Sequence, residues 1–102
     1  RELNEAVENG ERGLEIYAAK GHMQFELEQY EDAVQTYEQL RALSVRHPTA
    51  NFNLGICYEK LSRWQEASVA FQRALEIDPQ RMEAQLGLAI CQLHDEGDVL
   101  FP

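Results

Sequence analysis

The sequence predicts an all-α fold, a solenoid of antiparallel helix pairs holding about two and a half repeats. Three observations lead there: apolar residues recur at helical spacing, no segment alternates with period two over a useful length, and the chain repeats itself every 34 residues. Sliding the sequence by one period places Gly21 on Gly55, Leu27 on Leu61, Tyr30 on Trp64, Ala33 on Ala67 and Tyr37 on Phe71. A second slide places Leu54 on Leu88, Gly55 on Ala89, Ile56 on Ile90 and Cys57 on Cys91. Units of this kind cannot bury their apolar faces alone and share a core by stacking.

Each element follows from local pattern. Residues 1–10, with Leu3, Ala6 and Val7, read as the end of a preceding helix or a linker broken near Gly10. Residues 11–102 then form the domain, with repeats at 14–47 and 48–81 and a partial one at 82–102. Helices are expected near 11–28, 31–45, 49–61, 65–77 and 82–94. Leu54, Cys57, Tyr58 and Leu61 give the i, i+3, i+4, i+7 spacing of a buried stripe. Asp78-Pro79 separates two helices, because proline lacks the N–H that a helix interior needs. Gly55 and Ala67 are small where two helices of one pair must approach, Ala74 does the same against the next repeat, and Tyr37 and Phe71 fill the gaps. The third repeat has only its first helix, and Val99-Leu100-Phe101 is placed to fold back over its open side.

The run Leu54-Gly55, Tyr58, Trp64, Ala67, Phe71, Ala74-Leu75 and Asp78-Pro79 resembles the tetratricopeptide repeat motif, and the 34-residue period agrees. The resemblance covers residues 14–94 and implies a right-handed α-solenoid acting as a protein-binding module. Asn51 departs from the motif where an early aromatic is usual, Gln24 where a tyrosine is usual, and Val45 where Pro79 stands one repeat on.

Composition narrows the partners. Nine Lys and Arg face 18 Asp and Glu, a net charge of -9, which repels a nucleic-acid backbone and an anionic membrane surface alike. Nucleic acid and membrane are therefore excluded as expected partners, and no apolar run reaches the length of a membrane span. Cys57 and Cys91, with Met23 at the equivalent place of the first repeat, are expected on the buried side of each first helix, and buried thiols befit a cytoplasmic or other reducing setting. His22, His47 and His94 lack ligand spacing with one another or with the cysteines, although His22 and His94 are both placed on the inner side. The many carboxylates read as solvated helix faces and turns. No nucleophile and base, phosphate loop or glycine fingerprint is present, so the chain is read as non-catalytic and free of cofactor or metal. With Arg1 in place of an initiator Met, it reads as a piece of a longer protein.

The resemblance implies that the first helix of each repeat lines a concave surface. By helical spacing the lining is Ala18, Ala19, His22 and Phe25, then Phe52, Asn53 and Ile56, then Leu86, Ile90 and Leu93, with Glu15, Glu26, Glu59 and Glu83 on the rim. An apolar strip of this extent marks an interaction site. The expected groove is His22, Phe25, Phe52, Asn53, Ile56, Leu86, Ile90 and Leu93. Its expected ligand is a protein or peptide, apolar or amphipathic, with some basic residues. The family groove that grips the carboxylate terminus of chaperone peptides uses a basic and Asn clamp. Its matching positions here hold Ala18, His22, Asn53, Glu83 and Gly87, of which only Asn53 suits a carboxylate. The alternatives are a structural spacer, a segment that self-associates through its open C-terminal end, or a regulatory appendage of a multidomain enzyme.

Overall fold

The computed structural model describes the backbone from residue 2 to residue 100, and side chains from 12 to 95. Five helices follow one another: α1 (Glu2–Glu26), α2 (Tyr30–Leu43), α3 (Pro48–Lys60), α4 (Trp64–Ile77) and α5 (Met82–Leu100). Among the described residues there is no strand. Each helix packs on its neighbour in sequence, and the first helices of successive repeats also touch, α1 on α3 and α3 on α5. This is the α-solenoid of helix pairs that the 34-residue period predicts.

Local chemistry sets the helix starts. Pro48 occupies the first turn of α3, where its missing N–H costs nothing, and His47 caps that helix by accepting the Ala50 N–H on Nδ1 at 3.2 Å. Glu31 and Asp32 lie in the first turn of α2, where carboxylates favour the positive end of the helix dipole. At the start of α4, Arg63 is gripped in bidentate fashion by Glu66, at 2.7 and 2.8 Å. Each complete helix pair turns through one residue in the left-handed region, Glu28 at φ 60° and Ser62 at φ 58°. The two positions are one period apart.

The core is a line of aromatic rings seated against small residues. Phe71 is fully buried between α3 and α5. A Cβ added to Gly55 would lie 2.6 Å from its ring, and one added to Gly87 would lie 2.5 Å from it. Tyr37 repeats the arrangement one repeat earlier against Gly21, where an added Cβ would approach to 2.8 Å. Ala33 and Ala67 are fully buried, as are Leu40, Leu54 and both cysteines.

The ends differ from expectation. No break occurs at Gly10, since α1 runs unbroken from Glu2 to Glu26. Glycine within a helix weakens it by only about 1 kcal/mol relative to alanine, too little to stop a helix flanked by good formers. α5 likewise runs through 95–98, where a turn was expected, and reaches Leu100. The expected fold-back of 99–101 has no turn at 95–98 to start it, and Phe101 lies outside the described residues. Met23, matched by period to Cys57 and Cys91, is 55% exposed rather than buried. In the later repeats the preceding helix covers that position, and among the described residues nothing covers it on α1.

Two substitutions test this geometry. Ser62→Gly relieves the left-handed strain of a Cβ, worth about 1–2 kcal/mol, against a smaller entropic loss. It should raise the thermal midpoint slightly, while Ser62→Val lowers it. Ala67→Leu overpacks a closed contact and should cost about 1–3 kcal/mol by urea unfolding; an unchanged midpoint would show that α3 and α4 do not meet there.

Candidate functional site: the face of the first helices

The expected groove residues fall on α1, α3 and α5, and the structure divides them into three kinds. Phe25, Phe52 and Ile56 are partly buried and pack against the core. Ile90 is partly buried, while His22, Leu86 and Leu93 are exposed, the two leucines at 64% and 67%. Asn53 is engaged elsewhere.

Phe52 is the most constrained member. Its ring lies 6.0 Å from that of Phe71, tilted by 57°, and the Arg81 guanidinium sits 3.8 Å above its centroid. Arg81 also lies 3.7 Å from Glu83, so a cation and a carboxylate border this part of the strip. Phe25 meets Tyr30 edge to face at 5.6 Å, fixing the end of α1 to the start of α2. His22 lies 3.7 Å from Glu26 on the exposed surface of α1.

Asn53 Nδ2 donates to the Tyr37 hydroxyl at 2.9 Å. That places it in the contact between repeats and commits one of its two amide hydrogens there. Burial pushes the Tyr37 phenol above its ordinary pKa, and the Asn53 donor partly offsets this. The period explains the pair, because Gly87 stands one repeat after Asn53 and Phe71 one repeat after Tyr37. Where the ring carries a hydroxyl the chain supplies an amide, and where it carries none the chain supplies glycine.

The departures from the motif are explained similarly. Asn51 is fully buried and its Nδ2 donates to the carbonyls of Val45 at 3.0 Å and His47 at 2.9 Å. One period later Gln85 Nε2 donates to the carbonyl of Pro79 at 2.7 Å. Both connections between repeats are thus fastened by an amide side chain six residues on. Gln24 accepts from the Thr36 hydroxyl at 2.6 Å, and the corresponding pair one repeat later is Tyr58 with Ala70. A hydrogen-bonded polar pair has replaced a large residue beside a small one.

Three features escaped sequence reasoning. A cavity of about 430 Å³ opens between α2 and α4 over Leu54 and Tyr58, walled by Glu38, Arg41, Glu66 and Arg73, and contains none of the expected groove residues. His94 is not on the inner side, since its ring stacks on Trp64 with centroids 3.9 Å apart and planes 1° from parallel. Neither arrangement has a short motif that would announce it. The alternation of Asn51 and Gln85 was visible, but only the geometry of the turns gives it meaning. Among the described residues no three His, Cys, Asp or Glu side chains gather to hold a metal ion.

The sequence profile of the tetratricopeptide repeat family matches residues 18–81 and again 60–99. The chain belongs to the tetratricopeptide repeat family. The Arabidopsis OM64 TPR domain superimposes on 79% of the chain, and on 67% of its own, with a TM-score of 0.75 and 23% identity, a likeness of fold. Anaphase-promoting complex subunit 3 of Schizosaccharomyces pombe is 32% identical over 77 residues, 76% of this chain and 12% of that protein. RNA polymerase-associated protein CTR9 of Caenorhabditis elegans is 28% identical over 96 residues, 92% of this chain and 8% of that one. The chain thus spans about a tenth of the length of the curated relatives it matches.

Two measurements follow. Asn53→Ala strands the buried Tyr37 hydroxyl and should cost about 1–3 kcal/mol. Asn53→Gly combined with Tyr37→Phe recreates the Phe71–Gly87 pair and should recover most of that loss in urea unfolding; no recovery would break the pairing argument. Separately, burial pushes the Cys57 thiol from 9.0 up to about 12, so the fold holds it neutral. That stability is present in full below about pH 9 and is lost as pH rises towards 12. Thermal midpoints should fall through this window, less steeply in Cys57→Ala, and an equal slope in both would contradict the burial.

Proposed function

We propose that the chain is a non-catalytic protein-binding module whose inner strip takes an apolar or amphipathic segment of a partner. The observation that carries this reading is the continuity of apolar surface across three first helices. Phe25, Phe52, Ile56 and Ile90 remain partly open in a chain of net charge -9, and a strip of that kind is the ordinary mark of an interaction site. Glu26, Glu59 and Glu83 border it, which favours basic residues beside the apolar anchors of the ligand. With Asn53 held by Tyr37 and Glu83 on the rim, recognition of a terminal carboxylate is disfavoured. The names of two relatives, a subunit of a complex and a polymerase-associated protein, fit a role in holding proteins together.

A second reading, a spacer within a longer solenoid, is favoured by one specific observation. Ile16 and Met23 are 65% and 55% exposed, whereas Ala50 and Cys57, and Ala84 and Cys91, one and two periods on, are fully buried by the helix before them.

The test uses positions that hold no core contact. His22→Lys with Ile90→Lys places two ammonium groups on the strip, and His22 is exposed while Ile90 lies outside the packed core. Affinity capture with the parent chain and with this variant, each bound protein identified by mass, should show a partner lost by the variant. Its helix content and thermal midpoint should match the parent's. An anchor lost from a groove commonly weakens binding roughly 30-fold. Undiminished capture by the folded variant would remove the groove reading.

A further inference from the structure

The cavity between α2 and α4 lies apart from the strip and holds about 430 Å³, within the range of about 300–1,000 Å³ usual for small-molecule sites. Its floor is Leu54 and Tyr58 of α3, and Val69 and Ala70 of α4 carry the apolar surface up one wall. Leu54, Tyr58 and Ala70 are buried, while Val69 is 44% exposed. The lining is short, with one turn each of α2 and α3 and about two turns of α4. At about 30 Å³ per water the space holds roughly fourteen waters, which suits a compact ligand better than an extended segment. The three bounding helices all belong to the chain, and each repeat of a solenoid contacts only its neighbours. A further repeat stacked on either end would therefore leave this cavity open.

The charges on its walls are unevenly committed. Glu38 accepts from Arg41 Nε at 3.1 Å, and both oxygens of Glu66 are taken by Arg63 at 2.7 and 2.8 Å. Arg63 also lies 3.8 Å from Glu31 and 5.0 Å from the centroid of the Tyr58 ring. Arg73 makes no ion pair among the described residues, and Arg41 donates there through Nε alone, leaving its two terminal nitrogens. Burial raises the Tyr58 phenol above its ordinary pKa, with Glu38 and Glu66 adding to the rise and Arg63 and Arg41 opposing it, so the hydroxyl stays a donor. The uncommitted polar groups are thus donors beside an apolar floor, and one unpaired guanidinium favours a single negative charge.

We propose that this cavity binds a small organic acid, one carboxylate on an apolar body of roughly ten to fifteen non-hydrogen atoms. The body lies on Leu54, Tyr58, Val69 and Ala70, and the carboxylate lies between Arg41 and Arg73, whose planar forks match it. The proposal does not depend on the groove reading, since no residue of the strip lines the cavity.

The test is methyl NMR of the whole chain titrated with 4-phenylbutyrate. Saturable shifts are expected at Leu54, Val69 and Ala70, with Ile56 and Ile90 of the strip unmoved. The neutral 4-phenylbutanamide, which lacks the charge, and acetate, which lacks the body, should each bind at least about 10-fold more weakly. Arg73 is exposed, so Arg73→Gln should keep the thermal midpoint and weaken binding by about 10-fold or more, as for a lost hydrogen bond to a charged group. Arg46→Gln, at an exposed cation outside the cavity, should change neither. Equal binding of acid and amide, equal losses in the two arginine variants, or the absence of saturable shifts would overturn the proposal. Shifts at the same methyls on concentrating the chain alone, lost on dilution, would assign the cavity to a second copy. Binding there by a helical peptide that pairs leucine with glutamate, but not by the acid, would make it a protein-docking surface. Either of these outcomes likewise overturns it.

Discussion

The structure depends on how closely two helices can approach an aromatic ring. Phe71 is clasped from both sides, by Gly55 of its own repeat and Gly87 of the next, each so near that a single methyl would collide with the ring. The contact therefore sets two spacings at once, that within a repeat and that between repeats. Interiors are packed too tightly to absorb an error of that size without moving a helix. Half of the clasp recurs at Tyr37, which seats against Gly21 while Asn53 bonds its hydroxyl. Phe52, a member of the proposed strip, also packs beside Phe71, with the two rings 6.0 Å apart.

The repeats are not interchangeable, and the differences come in matched pairs. Tyr37 with Asn53 replaces Phe71 with Gly87, and Gln24 with Thr36 replaces Tyr58 with Ala70. In each case a polar atom added on one helix finds its partner on the other, as a buried polar group must to avoid its desolvation cost. The Tyr37–Asn53 pair joins one repeat to the next, whereas Gln24–Thr36 joins the two helices of one repeat, and exchanging one member of either leaves a void or an unmet polar group. The amides of Asn51 and Gln85 act on the connections instead, donating to the carbonyls of residues 45 and 79.

The periodic part of the fold was legible from residues alone: small residues at 55 and 67, knobs at 37 and 71, buried thiols at 57 and 91. These recur because each repeat solves the same packing problem. What resisted reading lies where periodicity stops. Gly10 and the acidic run at 95–98 resemble breaks, yet both helices continue, since local propensity is a weak prior against an otherwise helical context. Met23 was misjudged for a related reason, because the period predicts a position in the repeat and says nothing about whether a neighbour is there to cover it. Within the site, Phe25, Phe52 and Ile56 were placed on the right helices, but the attachment of Asn53 to Tyr37 was hidden. Asparagine on a helix face looks equally available to a ligand and to a neighbouring hydroxyl.

The central claim is that one ring couples adjacent repeats through two glycine contacts, and a double-mutant cycle measures it directly. Gly87→Ala, Phe71→Leu and the pair together would be compared by urea unfolding. If the ring and the glycine form one contact, the alanine methyl is costly beside phenylalanine and tolerated beside leucine. The cycle should then give a coupling of about 1 kcal/mol or more. Additive losses, with Gly87→Ala costing the same beside either side chain, would mean that the clasp does not set the spacing of the repeats.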